Sequence, residues 1–184
     1  IRDQVENTIV MALKHPEEYD QVARATRARF ETNRPRAVLF SGPPGVGKTL
    51  TARIMGTRCN QPMVYLPLES IASKWYGESE KNLATVFDCC DELGGTLLFI
   101  DEVDAVASRR DSGSMHEATR RILSVLLQRI DGFRVPRSKS TLVCATNRAV
   151  DLDDALVSRF DLTLHFDLPN FNAREAIFAR YAKH

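Results

Sequence analysis

The stretch "SGPPGVGKTLTAR", from Ser41 to Arg53, constrains the fold more than any other part of the chain. It follows the apolar run "AVLF" and leads into a helical pattern, so a strand, a turn rich in glycine and proline, and a helix stand in direct succession. Gly42-Pro43-Pro44-Gly45-Val46-Gly47-Lys48-Thr49 fits G-x-x-x-x-G-K-[ST] in the strand-to-helix setting that the motif requires. Glycine lets successive backbone N–H groups turn inward with no Cβ in the way, and the following helix N-terminus, through Leu50, adds positive polarity. Lys48 then neutralises β- and γ-phosphates, and the Thr49 hydroxyl can ligate Mg²⁺. The expected occupant is a nucleoside triphosphate.

Five short apolar runs read as strands: "RAVLF" (36–40), "MVYLPL" (63–68), "TLLFI" (96–100), "TLVCA" (141–145) and "LTLHF" (162–166). The first four are nearly continuous in apolar character, which suits strands buried on both faces of a parallel sheet, whereas the fifth alternates and suits an edge. Helical patterns lie between them. Leu83, Val86, Phe87 and Cys90 stand at i, i+3, i+4, i+7, and Ala118, Ile122, Val125 and Leu126 share one face in the same way. Alternating strands and helices predict a doubly wound α/β fold with a five-stranded parallel sheet flanked by helices. Asn172 followed by Glu175 reads as a capping box opening the last helix, and "VPRSKS" (135–140) as an exposed loop.

At 184 residues the chain suffices for one substantial core, read as one unit over 1–184. A net charge of +1 provides no global attraction to nucleic acid or membrane, and no apolar run approaches the ~20 residues of a bilayer span. Cys59, Cys89, Cys90 and Cys144 lack C-x-x-C spacing and are expected to be buried free thiols, which favours a reducing, intracellular compartment. The chain starts at Ile1 and stops inside a helical pattern, as expected of a piece of a longer protein.

A triphosphate site needs a hard oxygen ligand for the metal and a group to orient water. "LLFIDEVD" supplies Asp101 at a strand end for the metal shell and Glu102 to polarise the attacking water, with Asp104 as a supporting acid. Asn147, just after "TLVCAT", is placed as a polar group near the γ-phosphate, and Arg159 in "ALVSRFD" is a candidate cation for the transition state. His116 is a lone loop histidine with no assigned role.

Together "GPPGVGKT", "LLFIDEVDA", "HEATRRILSVLLQRIDG", "TLVCATNRAVDLDDALVSRFD" and "SKWYGESEKNLATVF" resemble the AAA ATPases, most of all the katanin and spastin branch. The resemblance implies a P-loop NTPase large subdomain and a ring, usually a homo-hexamer, with Mg²⁺ and ATP between subunits. It identifies Asn147 as sensor 1, Arg159 as a finger donated in trans, and Lys74, Trp75 and Tyr76 as a pore loop that grips a polypeptide, with "GSMHEA" near a second loop. Trp75 suits that task because a large aromatic face packs against almost any side chain. Three departures carry expectations. Ser158 stands where many relatives have a second arginine; "YLPLE" leaves the short polar residue expected near the end of the second strand unplaced; and no helical lid follows, so nucleotide binding is expected to be weak.

Two other functional classes share such a core. The run "ARATRARFETNRPR" holds Arg24, Arg27, Arg29, Arg34 and Arg36, but Glu17, Glu18 and Asp20 precede it, so ion pairing is expected rather than nucleic acid. A nucleotide-dependent scaffold with little turnover is the other alternative, and the presence of both Asp101 and Glu102 argues against it.

Overall fold

A computed structural model describes residues 2–26, 34–68, 79–107, 117–133 and 140–182. The first helical run, α1, joins Arg2–Gln4, a π-helical stretch Val5–Val10 and Met11–Lys14. Then come α2 (Pro16–Thr26), β1 (Ala37–Ser41), α3 (Lys48–Cys59), β2 (Met63–Pro67), α4 (Ser79–Glu92) and β3 (Leu97–Asp101). The order continues with α5 (Asp104–Ala107), α6 (Glu117–Phe133), β4 (Thr141–Thr146), α7 (Asp154–Val157), β5 (Leu162–His165) and α8 (Phe171–Tyr181). Among the described residues no helix is long and apolar enough to cross a membrane.

The five strands form one parallel sheet in the order β2-β3-β4-β1-β5. Because successive side chains of a strand point to opposite faces, each central strand feeds two cores. Ala37, Leu39, Leu98, Ile100, Leu142 and Cys144 pack on one side with α4, α5 and α6. Val38, Phe40, Phe99, Val143 and Leu164 pack on the other with α1 and α3, through Val5, Ile9, Ala52 and Met55. Two helical layers therefore enclose the sheet, which explains why β1, β3 and β4 read as continuous apolar runs.

Each strand lies within one residue of its expected bounds at either end. β5 is an edge, as its alternation suggests. β2 is the other edge among the described residues, contrary to the expectation of burial on both faces, and Tyr65 there is 48% exposed.

The last helix begins earlier than expected. Asn170, not Asn172, is its N-cap, its side-chain oxygen accepting from the Ala173 amide at 2.9 Å, so Asn172 lies inside the helix. Of the expected loop 135–140 only Ser140 is described, and it is buried: its hydroxyl donates to the Cys90 carbonyl at 3.0 Å. All four cysteines are free, Cys90 and Cys144 buried and Cys59 half-buried, but Cys89 is exposed because it faces away from the core on α4. Arg34 pairs with Asp20 at 3.3 Å and Arg36 is buried, so these two arginines of the segment are tied to the protein, while Arg24 is exposed.

Candidate active site

The cradle sits where β1 ends. Gly42, Gly45 and Gly47 all have positive φ, of 144°, 79° and 97°, which L side chains rarely adopt. A Cβ on Gly42 would stand 2.1 Å from the Phe166 carbonyl oxygen, so glycine is also demanded there by the close approach of the chain leaving β5. At Gly45 and Gly47 a Cβ would meet nothing within 4 Å; the backbone faces open space there, as a loop that wraps a ligand must.

Lys48 opens α3 with its side chain buried under this turn. Its ammonium donates to the carbonyl oxygens of Gly42 (2.6 Å) and Pro43 (2.9 Å) and to the side-chain oxygen of Asn147 (2.8 Å). Burial lowers its pKa from the ordinary lysine value, and the nearby carboxylates of Asp101 and Asp104 oppose that shift. Asn147 is held by the chain around it. The Thr146 hydroxyl donates to Asp104 at 2.8 Å and accepts from the Arg148 amide at 3.0 Å, clamping the turn that leaves β4. Asp104 thus supports the site through Thr146.

One residue further along α3, the Thr49 hydroxyl donates to Asp101 Oδ2 at 3.1 Å, while Asp101 Oδ1 accepts from the Glu102 amide at 3.0 Å. Glu102 follows with φ of 55°, a left-handed backbone that costs a non-glycine residue about 1–2 kcal/mol. Hydrogen bonds on both sides hold it, from the Val103 amide to Ala145 O (3.0 Å) and from the Ala105 amide to Glu102 O (2.9 Å). Strain retained beside an acid at a strand end is a mark of functional sites.

The donors fit Mg²⁺ with a triphosphate. Thr49 and Asp101 offer two adjacent hard oxygens, and among the described residues no group of three or more His, Cys, Asp or Glu is arranged to hold a metal ion alone. Mg²⁺ commonly takes one or two protein oxygens and completes its shell with phosphate and water.

Beside the loop lies a cavity of 610 Å³, walled by Val5 and Val10 of α1, Val46 of the loop, Ile54 of α3 and Ile177 of α8. The pair Glu6–Arg58 stands at its margin. Apolar walls of this kind suit a flat heterocycle. Val46 belongs to the motif, but sequence reading missed the other walls because they come from three separate helices, α1, α3 and α8, and no local pattern joins them.

Arg159 is held within its own subunit. Its Nε donates to Asp131 at 3.0 Å and a terminal nitrogen donates to the Ala155 carbonyl at 2.7 Å. Asp131 is a second residue that spacing did not reveal, since it lies 28 positions away on α6. The Ser158 hydroxyl turns back to Ala155 O at 3.0 Å. Lys74, Trp75, Tyr76, His116 and most of "GSMHEA" lie outside the described residues.

Residues 38–168 match the family model described as "ATPase family associated with various cellular activities (AAA)". The chain is 34% identical over 179 residues to the katanin p60 ATPase-containing subunit A1 of Strongylocentrotus purpuratus, covering 94% of this chain and 33% of that protein. It is 37% identical over 150 residues to spastin of Ixodes scapularis (81% and 23%) and 34% identical over 183 residues to the proteasome-activating nucleotidase of Sulfurisphaera tokodaii (97% and 44%). The chain therefore spans less than half the length of these relatives. A crystal structure of the FIGL-1 AAA domain in complex with ADP superposes with a TM-score of 0.81 at 30% identity, over 97% of this chain and 56% of that one.

Proposed function

Because the chain belongs to the family of ATPases associated with various cellular activities, we propose that it is the catalytic core of an ATP-driven protein remodeller, one that assembles as a ring, usually a homo-hexamer, and pulls on an extended polypeptide. The observation that carries the reading is the convergence of Lys48, Thr49, Asp101 and Asn147 through direct hydrogen bonds at the ends of β1, β3 and β4.

In this reading the backbone from Gly42 to Leu50, across Pro43, Pro44, Gly45, Val46 and Gly47, wraps the phosphates, with N–H groups donating everywhere except at the two prolines, which have none, and Lys48 neutralises them. Thr49 and Asp101 hold Mg²⁺, which screens charge on the phosphate oxygens when bound. Glu102 accepts a hydrogen bond from the attacking water and aims it in line with the γ-phosphate, while Asn147 orients from the far side. Burial makes the Lys48 ammonium worth more to a phosphate than a hydrated one. The apolar cavity takes the adenine ring, and Arg159 exchanges its bond to Asp131 for the γ-phosphate of a neighbouring subunit. Lys74, Trp75 and Tyr76 grip the substrate polypeptide.

The test is ATP turnover per subunit against protein concentration for the wild type, Glu102→Gln and Arg159→Ala. Turnover that rises as subunits associate, and collapses in both variants while Glu102→Gln still binds ATP, is the expected result. Flat, near-zero wild-type turnover despite binding and assembly would replace this reading with that of a nucleotide-dependent scaffold.

A further inference from the structure

In the β2–β3 register Tyr65 faces Phe99 and Pro67 faces Asp101, so these four positions share one face of the sheet. The Tyr65 ring stacks on Phe99, with centroids 6.0 Å apart and planes at 17°. Held that way, the phenol reaches the next residue on that face. Its hydroxyl lies 3.5 Å from Asp101 Oδ2, the same oxygen that accepts from Thr49. Asp101 is thereby held from three directions: by α3 through Thr49, by its own chain through the Glu102 amide, and by the edge strand through Tyr65.

Of the described residues at the end of β2, neither offers anything comparable. Pro67 has neither a polar side chain nor an N–H, and Leu68 is buried in the core. Arg53, one turn beyond Thr49 on α3, adds positive charge near the phenol.

We propose that Tyr65 is a positioning residue for Asp101: its phenol donates to Oδ2 and keeps the carboxylate turned toward Thr49, so that two hard oxygens meet Mg²⁺·ATP in one fixed orientation. The inference rests on Asp101 being a carboxylate of the Mg²⁺ shell. Groups that orient a ligand from behind commonly matter nearly as much as the ligand, because Mg²⁺ tolerates little departure from octahedral geometry. Exposure of the phenol to water moderates the effect.

Tyr65→Phe keeps the ring and its stack and removes only the hydroxyl; Asp101→Asn serves as the reference. In the full chain, ADP affinity is measured by calorimetry without Mg²⁺ and across a Mg²⁺ titration, with thermal midpoints alongside. The expected result for Tyr65→Phe is an unchanged midpoint, unchanged affinity without Mg²⁺, and a loss of about threefold to tenfold in the affinity that Mg²⁺ adds. Wild-type behaviour of Tyr65→Phe at every Mg²⁺ concentration, with Asp101→Asn impaired, would overturn the positioning role alone. An Asp101→Asn protein whose Mg²⁺ dependence matches wild type would overturn the role of Asp101, and the role of Tyr65 with it.

Discussion

Lys48 and Asn147, 99 residues apart in the chain, meet at 2.8 Å, ammonium to side-chain carbonyl. One contact thus ties the first turn of α3 to the segment leaving β4. Replacing Asn147 by alanine should leave ATP binding within a few-fold and lower turnover by about 10²-fold, as loss of one oriented polar group in a phosphoryl-transfer site does. Lys48→Ala should abolish nucleotide binding itself. Steady-state ATPase assays with a fluorescent-nucleotide titration separate the two, and an Asn147→Ala protein with wild-type turnover would remove Asn147 from the mechanism.

The glycines of the cradle should not be equivalent. Gly42→Ala drives a methyl to 2.1 Å from a backbone oxygen at a positive φ, so the fold itself should lose about 3 kcal/mol or more. Gly47→Ala has open space and only the backbone penalty, about 1 kcal/mol. Denaturant melts should rank them in that order, whereas nucleotide affinity should fall in both.

Arg159 should matter little to the isolated subunit and greatly to the assembled one. Its ion pair with Asp131 is partly exposed, and such pairs contribute under ~1 kcal/mol. Arg159→Ala should therefore shift the thermal midpoint by only a few degrees while lowering assembly-dependent turnover by about 10³-fold. A comparable loss in dilute, unassembled protein would mean that the arginine acts within its own subunit.

Thiol chemistry should follow burial. Desolvation raises the pKa of Cys59, Cys90 and, most strongly, Cys144, because it penalises the thiolate. A raised pKa means less thiolate at a given pH, so near pH 8 the exposed Cys89 should be alkylated first, with the others reacting as pH rises or the chain unfolds. Mass spectrometry after brief iodoacetamide treatment would show it. Labelling of Cys144 before Cys89 in native protein would contradict the packing.

What could be read from the sequence was local. The strands announced themselves because burial on both faces leaves an unbroken apolar run, and the cradle because its glycines, lysine and threonine are contiguous. Asp101 and Glu102 came from their place at a strand end. The misreadings arose where a choice depends on neighbours distant in the chain. Asn170 and Asn172 are equally good caps by residue type, and only the path of the chain out of β5 selects the former. Nothing within "MVYLPL" tells an edge from an interior strand. Asp131, Tyr65 and the walls of the cavity are defined by contacts across elements, which spacing within any one segment does not encode.

Among the described residues, no strand made before the one that carries the cradle pairs with it. The strand partners of β1 there are β4 and β5, and the Asp161 carboxylate, accepting from the Arg36 amide 125 positions earlier, closes its base. During synthesis the glycine loop would leave the ribosome before β4 and β5 and wait for these supports to arrive. Helices and the β2–β3 pair can form meanwhile, but a nucleotide has nothing rigid to bind until β5 docks. Nucleotide affinity in nascent chains of increasing length should therefore appear late and abruptly, making ATP a sensor of completed folding rather than a template for it.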